Sequence, residues 1–208
     1  CSRCLERLEH NIPPFCPQGS RHLNHPHYLT KCHSCTHNQL HFDFAWSSLI
    51  YNDTLKDLLH QFKFNQKTLL KYFFTQTMIS FILRHGLDIK QFDYLMTVPL
   101  HPTRYRERGF NQAELLAVGV SQYFLIPLLN NHLIKIRPTH HQSLSKRKDR
   151  FTNLRGAFRI QHSKKIYGKN ILLVDDLITT GMTASETALT LKNAGAKKVG
   201  ILTLAITT

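Results

Sequence analysis

The stretch of sequence that decides the fold is Ile171-Leu172-Leu173-Val174-Asp175-Asp176-Leu177-Ile178-Thr179-Thr180-Gly181-Met182-Thr183. It opens with four apolar residues, continues with two carboxylates and ends in a hydroxyl-rich turn that leads into a helical pattern. A continuous apolar run is typical of a strand buried on both faces of a parallel sheet. In open α/β sheets, ligands bind outside the carboxyl ends of the strands. The stretch therefore predicts an α/β fold with a ligand site beside this strand.

The chemistry of the same stretch favours a phosphorylated sugar. Backbone N–H groups of a turn entering a helix, together with the helix dipole, form an anion site. Thr179, Thr180 and Thr183 add hydroxyl donors, and Gly181 lets the backbone approach an anion closely. The two adjacent carboxylates can accept hydrogen bonds from a diol or bind a divalent metal. The alternative is a plain strand–turn–helix junction capped by Asp and Thr.

Hydrophobic periodicity predicts alternating strands and helices along the rest of the chain. The predicted strands are Phe42–Tyr51, Tyr94–Val98, His132–Ile136, Asn170–Val174 and Val199–Ile206. Of the four predicted helices, the first begins at Asn52 or Asp53, the second covers Thr68–Arg84 and the last covers Thr183–Ala194. The third is indicated by one apolar face, formed by Ala113, Leu116, Ala117, Val120 and Phe124. Such alternation predicts a three-layer α/β domain, a parallel sheet flanked by helices, over residues 43–208.

A basic run follows the second predicted strand. Within residues 98–113, Arg104, Arg106 and Arg108 stand at alternate positions. Guanidinium groups bind phosphate oxygens in pairs, so three of them form a plausible clamp for pyrophosphate or a nucleic-acid backbone. The alternative is a solvated basic turn.

Composition and charge exclude several classes of protein. The chain has 208 residues, of which 42% are hydrophobic, and this is too apolar for a disordered or collagenous chain. No window offers 18 uncharged apolar residues, so we predict no membrane-spanning helix. There are 27 Lys and Arg against 13 Asp and Glu, a net charge of +14. This excess indicates a polyanionic partner such as nucleic acid or a phosphorylated substrate, unless the surface is simply basic.

Residues 1–42 differ from the rest, because they hold all five cysteines and half of the 14 histidines. The odd number of cysteines argues against a complete set of disulfides. Cys1/Cys4 and Cys32/Cys35 have the Cys-x-x-Cys spacing, with which one tight turn supplies two corners of a tetrahedral zinc site. The alternatives are a disulfide or idle thiols. We predict a small module over residues 1–42 that needs a metal to fold.

Residues 171–183 resemble the phosphoribosyl-diphosphate signature of type I phosphoribosyltransferases. By that resemblance, Asp175 and Asp176 are catalytic-site residues that face the ribose 2′ and 3′ hydroxyls, with Mg²⁺ as cofactor. The residues implied to wrap the 5′-phosphate are Thr179, Thr180, Gly181, Met182 and Thr183. Residues 98–113 resemble the hallmark of the competence protein ComF family (ComFC and GntX-like proteins). This second resemblance implies that Arg104, Arg106 and Arg108 hold the diphosphate.

Three more segments are similar to ComF proteins. The segment from His141 to Phe158 resembles a mobile hood over the active site, and residues 51–64 resemble the opening segment of the family. The basic residues of the hood suit phosphate capture or DNA contact, unless the hood is a solvated loop. They are Lys146, Arg147, Lys148, Arg150 and Arg155. The family also begins with a double-zinc-ribbon-like module.

The zinc module departs from the family pattern at one position. Gly19 stands where the second Cys of a Cys-Pro-x-Cys pair is expected. The resemblance therefore implies either a degenerate ribbon or further residues before the first cysteine. The implied zinc ligands are Cys1, Cys4, Cys32 and Cys35. Cys16, with His33 or His37, is the alternative.

Taken together, the resemblances imply a cytoplasmic protein of natural transformation that assists the uptake of single-stranded DNA. Its partners would be phosphoribosyl diphosphate, single-stranded DNA and a helicase-type component of the competence machinery. Two other functions stay open. One is an active phosphoribosyltransferase that displaces magnesium pyrophosphate with an acceptor we cannot name. The other is a non-catalytic sensor of phosphoribosyl diphosphate or a nucleotide.

Overall fold

Four parallel strands form the central sheet of the structure, a computed structural model that describes residues 5–23, 31–64, 69–138 and 154–208. In chain order the elements are α1 (His33–His37), β1 (Phe44–Ile50), α2 (Asp53–Phe64), α3 (Leu70–Arg84), β2 (Tyr94–Thr97), α4 (Pro102–Arg108), α5 (Gln112–Phe124), β3 (Leu133–Lys135), β4 (Phe158–Ile160), β5 (Asn170–Ile178), α6 (Met182–Asn193) and β6 (Lys198–Ile206). The strand order is β1-β6-β5-β2, and β3 pairs with β4 in a separate antiparallel ribbon.

The sheet is buried on both faces, as the apolar run predicts. Because side chains alternate along a strand, Leu172 and Val174 of β5 enter the core beneath α2, α3 and α5. Ile171 and Leu173 enter a second core on the other face, beneath α6 and the β3–β4 ribbon. The predicted three-layer α/β architecture is confirmed.

The strand that carries the two carboxylates is longer than predicted. Its apolar run ends at Val174, but β5 continues to Ile178, because its pairing with β6 extends to the pair Ile178–Ile206. Asp175 and Asp176 therefore lie within the ladder, with Asp175 opposite Thr203. The pairing of β2 with β5 ends earlier, at Thr97–Val174. The carboxylates thus lie just past the end of β2.

The N-terminal segment lies against the edge of the sheet. His10 bridges to Leu49 of β1, and backbone hydrogen bonds join Asn11 N–H to the Ser48 carbonyl (3.0 Å) and Ile50 N–H to the Glu9 carbonyl (2.8 Å). These contacts cover an edge strand that would otherwise expose unpaired backbone groups. Along the described ranges of the chain, none of the helices combines the length and apolar character needed to cross a bilayer.

Candidate functional site: an acid pair, a phosphate loop and four cations

The acid pair, Asp175 and Asp176, brings its two carboxylates into hydrogen-bond contact with each other. The Asp176 N–H also donates a hydrogen bond to Asp175 Oδ1 (2.8 Å), which fixes the two residues relative to each other. The charge of Lys63 acts on both carboxylates.

On the α2 side, Asp176 forms an ion pair with Lys63, near the end of α2. Both side chains are largely buried, with 19% of Lys63 and 14% of Asp176 exposed. Burial acts to raise the pKa of Asp176. The Lys63 ammonium, a hydrogen bond with Asp175 and the nearby Arg108 outweigh it and lower this pKa. Asp176 is therefore ionised at neutral pH.

The pKa of Asp175 is shifted in the opposite direction. Burial, and then the negative charge of Asp176, raise the pKa of Asp175 well above its usual value. Two adjacent buried carboxylates repel each other, so the second of them ionises less readily than a free aspartate does. A bound cation or diol can change the charge of the pair.

We expect Asp175→Asn to raise the melting temperature of the ligand-free protein. Because the folded-state pKa of Asp175 is raised, the folded chain keeps a proton that the unfolded chain releases near its reference pKa of about 3.9. Stability therefore falls as pH rises from that value through the folded-state pKa, and Asn removes the loss. A gain of about 1 kcal/mol would raise the melting temperature by ~3 °C at pH 8. Melting curves at pH 5 and pH 8 should show a larger gain at pH 8, and an equal gain or a loss would contradict this assignment.

The phosphate loop, residues Thr179–Thr183, joins β5 to α6. Gly181 has φ +79°, a left-handed conformation that favours glycine, and it caps the first turn of α6. The Met182 N–H lies 3.4 Å from Thr180 Oγ1, and the Ser185 N–H donates to the Gly181 carbonyl (2.8 Å). The early N–H groups of α6 therefore face the loop, where the helix dipole favours an anion.

The basic run after β2 forms a helix, α4, and the helix places its three arginines on different sides of the helix axis. At 3.6 residues per turn, Arg104 and Arg108 lie about 40° apart around the axis, while Arg106 lies about 200° from Arg104. Accordingly Arg104 and Arg108 are half-buried and Arg106 is exposed. Of the three arginines predicted to hold the diphosphate, Arg104 and Arg108 therefore share one side of α4, and Arg106 lies on the opposite side.

Arg108 is the more enclosed of the two arginines. Its Nη1 donates to Gln112 Oε1 (2.9 Å), and its guanidinium lies over the Phe64 ring at 5.0 Å. Burial lowers the pKa of Arg108, and the charge of Asp176 partly offsets this effect. Arg108 is thus a partly desolvated cation beside the acid pair, which is the setting in which a guanidinium binds an anionic oxygen strongly.

Lys63 and Lys135 complete the site, and the sequence analysis assigned neither. Lys135 in β3 extends over the Phe158 ring (5.6 Å). Burial, and then Arg104, lower the pKa of Lys135, whereas Asp175 raises it, so all three charges meet at one place. In the sequence, Lys135 stands out because it interrupts the otherwise apolar run of β3. For Lys63, the signal was its place in the segment that resembles the opening of the family.

Part of the predicted hood lies outside the described residues, including Lys146, Arg147, Lys148 and Arg150. The end of the hood segment is described. The Gly156 N–H donates to Glu186 Oε1 of α6 (2.6 Å), and Ala157 and Phe158 are buried. Arg155 is exposed beside them. The β4 end of the hood is therefore anchored on α6, the helix that begins at the phosphate loop.

The cysteine cluster consists of Cys16, Cys32 and Cys35, whose sulfur atoms lie within 4.8 Å of one another. Cys32 Sγ and Cys35 Sγ are 3.5 Å apart, and Cys16 Sγ accepts hydrogen bonds from the N–H groups of Gly19 (3.2 Å) and Cys32 (3.3 Å). Hydrogen bonds from the other two thiols lower the pKa of Cys16, whereas the same contacts and burial raise the pKa of Cys35. Three cysteine sulfur atoms this close together are an arrangement suited to a soft metal.

Only some of the predicted zinc ligands that the structure describes belong to the cysteine cluster. Cys32 and Cys35 meet Cys16, while Cys1 and Cys4 lie outside the described residues. His33 and His37 stack on each other, with ring centroids 4.0 Å apart, and are not part of the cluster.

Comparison with known proteins agrees with this arrangement. A family model described as the phosphoribosyl transferase domain matches residues 128–206. Competence protein ComFC of Streptococcus pneumoniae is 34% identical over 98% of this chain and 86% of its own length. Competence protein F of Haemophilus influenzae is 29% identical over 99% of this chain and 89% of its own length.

Two further similarities extend the comparison. The DNA utilization protein YhgH of Escherichia coli is 29% identical over 97% of this chain and 87% of its own length. Among solved structures, a purine phosphoribosyltransferase from Pyrococcus horikoshii Ot3 is 19% identical, with a TM-score of 0.41 over 65% of this chain and 74% of that one. The parallel sheet, the matched domain and the near-complete coverage by curated relatives agree. The chain therefore belongs to the ComF/ComFC family of competence proteins and contains a phosphoribosyltransferase domain.

Proposed function

We propose that the chain is a competence protein that binds phosphoribosyl diphosphate and assists the handling of single-stranded DNA during natural transformation. The observation that supports ligand binding best is the acid pair followed by the phosphate loop, with Lys63, Arg104, Arg108 and Lys135 around it. The names of the relatives, which refer to competence and DNA utilization, support the biological role.

Each part of the proposed ligand has a matching group in the site. Its 5′-phosphate would accept hydrogen bonds from the N–H groups of the phosphate loop at the start of α6. Its ribose hydroxyls would donate to the acid pair. Its diphosphate would lie near Arg104, Arg108 and Lys135, since the charge of Arg104 acts on both of the other two.

The acid pair also fits Mg²⁺, which prefers carboxylate and phosphate oxygens and keeps several waters. Burial and the charge of Asp176 raise the pKa of Asp175, and a divalent ion between the carboxylates would oppose that shift and favour ionisation of both. Asp175 and Asp176 would hold the ion together with diphosphate oxygens. When bound, it would neutralise the pyrophosphate leaving group.

Two partial ligands test the proposed binding. Ribose 5-phosphate and magnesium pyrophosphate should each displace phosphoribosyl diphosphate from the protein, because each fills one end of the site. Equilibrium competition with radiolabelled phosphoribosyl diphosphate measures both. Failure of either compound to compete would contradict the end-by-end assignment.

A transferase is the second candidate, and the intact acid pair and phosphate loop favour it. Release of pyrophosphate from phosphoribosyl diphosphate over a panel of nucleobase acceptors would show turnover. Binding without release over the whole panel would instead indicate a sensor of phosphoribosyl diphosphate.

We propose that the cysteine cluster holds one zinc ion. Three sulfur atoms within 4.8 Å of one another supply three corners of a tetrahedron. A Cβ atom at Gly19 would overlap Cys35 Sγ and lie 3.4 Å from Cys32 Sγ, so position 19 borders the cluster and a side chain there requires the Cys35 sulfur to shift. Free thiols grouped in this way are typical of a reducing compartment, which supports the cytoplasm as the location.

We expect wild-type protein purified without chelator to contain about one zinc per chain and Gly19→Cys to hold zinc more tightly. The added thiolate would complete a four-cysteine site, the usual structural arrangement. We expect zinc transfer to a competing chelator to need at least tenfold more chelator for Gly19→Cys, and Cys16→Ser to lose the metal. Elemental analysis and chelator titration measure these changes. Zinc near zero in wild-type protein with reduced thiols would contradict the proposal.

The DNA role is supported by where the positive charge lies. Residues 131–169 hold 11 of the 27 Lys and Arg but one of the 13 Asp and Glu. Among the described ones, Arg155, Arg159, Lys164 and Lys165 are exposed on the β4 side. Contacts of Lys and Arg with phosphates supply most sequence-independent affinity for nucleic acid. A helicase-type component of the uptake machinery is the protein partner that we propose beside DNA.

A further inference from the structure

The turn that holds Cys16 also reaches the phosphate loop. It runs from Cys16 to Arg21 and is closed by two backbone hydrogen bonds, from Cys16 N–H to the Arg21 carbonyl (2.7 Å) and from Ser20 N–H to the Cys16 carbonyl (3.0 Å). The Cys16 thiol accepts the Gly19 N–H inside the same turn. The shape of the turn therefore depends on the sulfur atom at its centre.

Arg21 extends from this turn to the start of the phosphate loop. Its Nη2 donates to the carbonyl oxygen of Thr179, the first residue of the loop, and its Nε donates to the carbonyl oxygen of Thr207 (3.1 Å). The Thr207 hydroxyl also lies 3.3 Å from the Thr179 carbonyl. One guanidinium thus holds the backbone where β5 passes into the loop.

A second side chain of the turn reaches the other end of the loop. Gln18 Nε2 donates to the carbonyls of Leu40 (3.3 Å) and Phe42 (3.1 Å). The side chains of Leu40 and Phe42 lie 3.7 Å from the Cβ position of Gly181. Between them, the His41 N–H donates to Ser185 Oγ in the first turn of α6 (3.0 Å).

The turn is also fixed to the sheet on its other side. Buried Asn11 donates from Nδ2 to the Ser20 carbonyl (2.8 Å) and the Ser47 carbonyl (3.0 Å), and Ser47 N–H donates to Ser20 Oγ (3.0 Å). The turn is therefore a rigid link between the sheet, the cysteine cluster and the phosphate loop.

We propose that Arg21 is a positioning residue for the 5′-phosphate of the ligand, and that zinc in the cysteine cluster strengthens phosphate binding through it. The inference rests on the proposed function, since it concerns the same phosphate loop. Arg21 fixes the Thr179 carbonyl, and this orients the loop N–H groups that follow. Loss of the metal from Cys16 loosens the turn and with it the guanidinium. Because such coupling is reciprocal, the phosphate ligand should tighten zinc binding by the same factor.

The test measures the affinities of ribose 5-phosphate and magnesium pyrophosphate separately. We expect Arg21→Ala to weaken ribose 5-phosphate about tenfold and to change pyrophosphate less than twofold, because the arginine acts at one end of the site only. Arg21→Lys, which keeps the charge and one donor, should recover part of the loss. Arg7→Ala removes the same charge from an exposed position in the same N-terminal segment and should change neither affinity.

The second part of the test uses wild-type protein from which a chelator has removed zinc, before and after zinc is added back. Stripping should weaken ribose 5-phosphate selectively, and reloading should reverse the loss in wild type but not in Arg21→Ala. Equal ribose 5-phosphate affinity in wild type and Arg21→Ala would overturn the inference. So would an equal loss for both probes, which is the pattern of general destabilisation. If wild-type protein binds neither probe, the proposed function itself fails.

Discussion

Replacing Asp175 and Asp176 together with Asn is expected to abolish the thermal stabilisation of the protein by magnesium phosphoribosyl diphosphate. For the wild type, a ligand at a hundredfold excess over its Kd stabilises the folded state by about 2.7 kcal/mol. For a chain of this size that corresponds to a rise in melting temperature of roughly 5–10 °C. The double variant keeps the shape of the acid pair but loses the carboxylates that we propose accept the ribose hydroxyls and hold the metal.

The control for this experiment removes the same two charges elsewhere. Asp57 and Asp88 are exposed, so Asp57→Asn with Asp88→Asn should leave the ligand-induced shift unchanged. Differential scanning fluorimetry with and without ligand gives all the shifts. Equal shifts in wild type and in the Asp175/Asp176 variant would show that the acid pair takes no part in binding.

Single-stranded DNA is expected to bind with a steep dependence on salt, and most of that dependence should come from the β4 side. Each phosphate neutralised on a single strand contributes about −0.7 to the slope of log K against log salt concentration. Four contacts give a slope of about −3, or an affinity loss of roughly 50-fold between 50 and 200 mM salt. Changing Arg155, Arg159, Lys164 and Lys165 to Ala should bring the slope close to zero if they make those contacts.

Fluorescence anisotropy with labelled oligonucleotides of two unrelated sequences measures the slope and checks that it does not depend on sequence. The matched control changes four exposed basic residues on other surfaces, namely Arg7, Lys56, Arg84 and Lys90. This control should lower the slope far less. A flat salt dependence in wild type, or an equal effect of the two sets of substitutions, would show that the surface is not an electrostatic DNA site.

The centre of the fold and the phosphate loop could be predicted from sequence because both are local. The apolar run of β5, the acid pair and the turn into α6 are contiguous, so their order alone indicates a strand end with an anion site. The end of β5 could not be predicted, because pairing with β6 rather than residue preference extends it to Ile178.

The remaining parts of the site depend on contacts between distant segments. Lys63 of α2 forms an ion pair with Asp176, and Lys135 of β3 lies near enough to Asp175 for their charges to interact, but no local pattern places either lysine there. The alternate spacing of the three arginines did not show that they lie on a helix, and α4 turns Arg106 away from Arg104 and Arg108. The link from Arg21 to Thr179 spans 158 positions of the chain and is visible only in the folded protein.

The most direct test of ligand binding is an isothermal calorimetric titration of wild-type protein with phosphoribosyl diphosphate, with and without Mg²⁺. We predict one site per chain, tighter binding with Mg²⁺ than without it, and weaker binding of ribose 5-phosphate, which lacks the diphosphate. No heat of binding under either condition, at ligand concentrations up to millimolar, would contradict the claim that the acid pair and the phosphate loop form a working phosphoribosyl-diphosphate site.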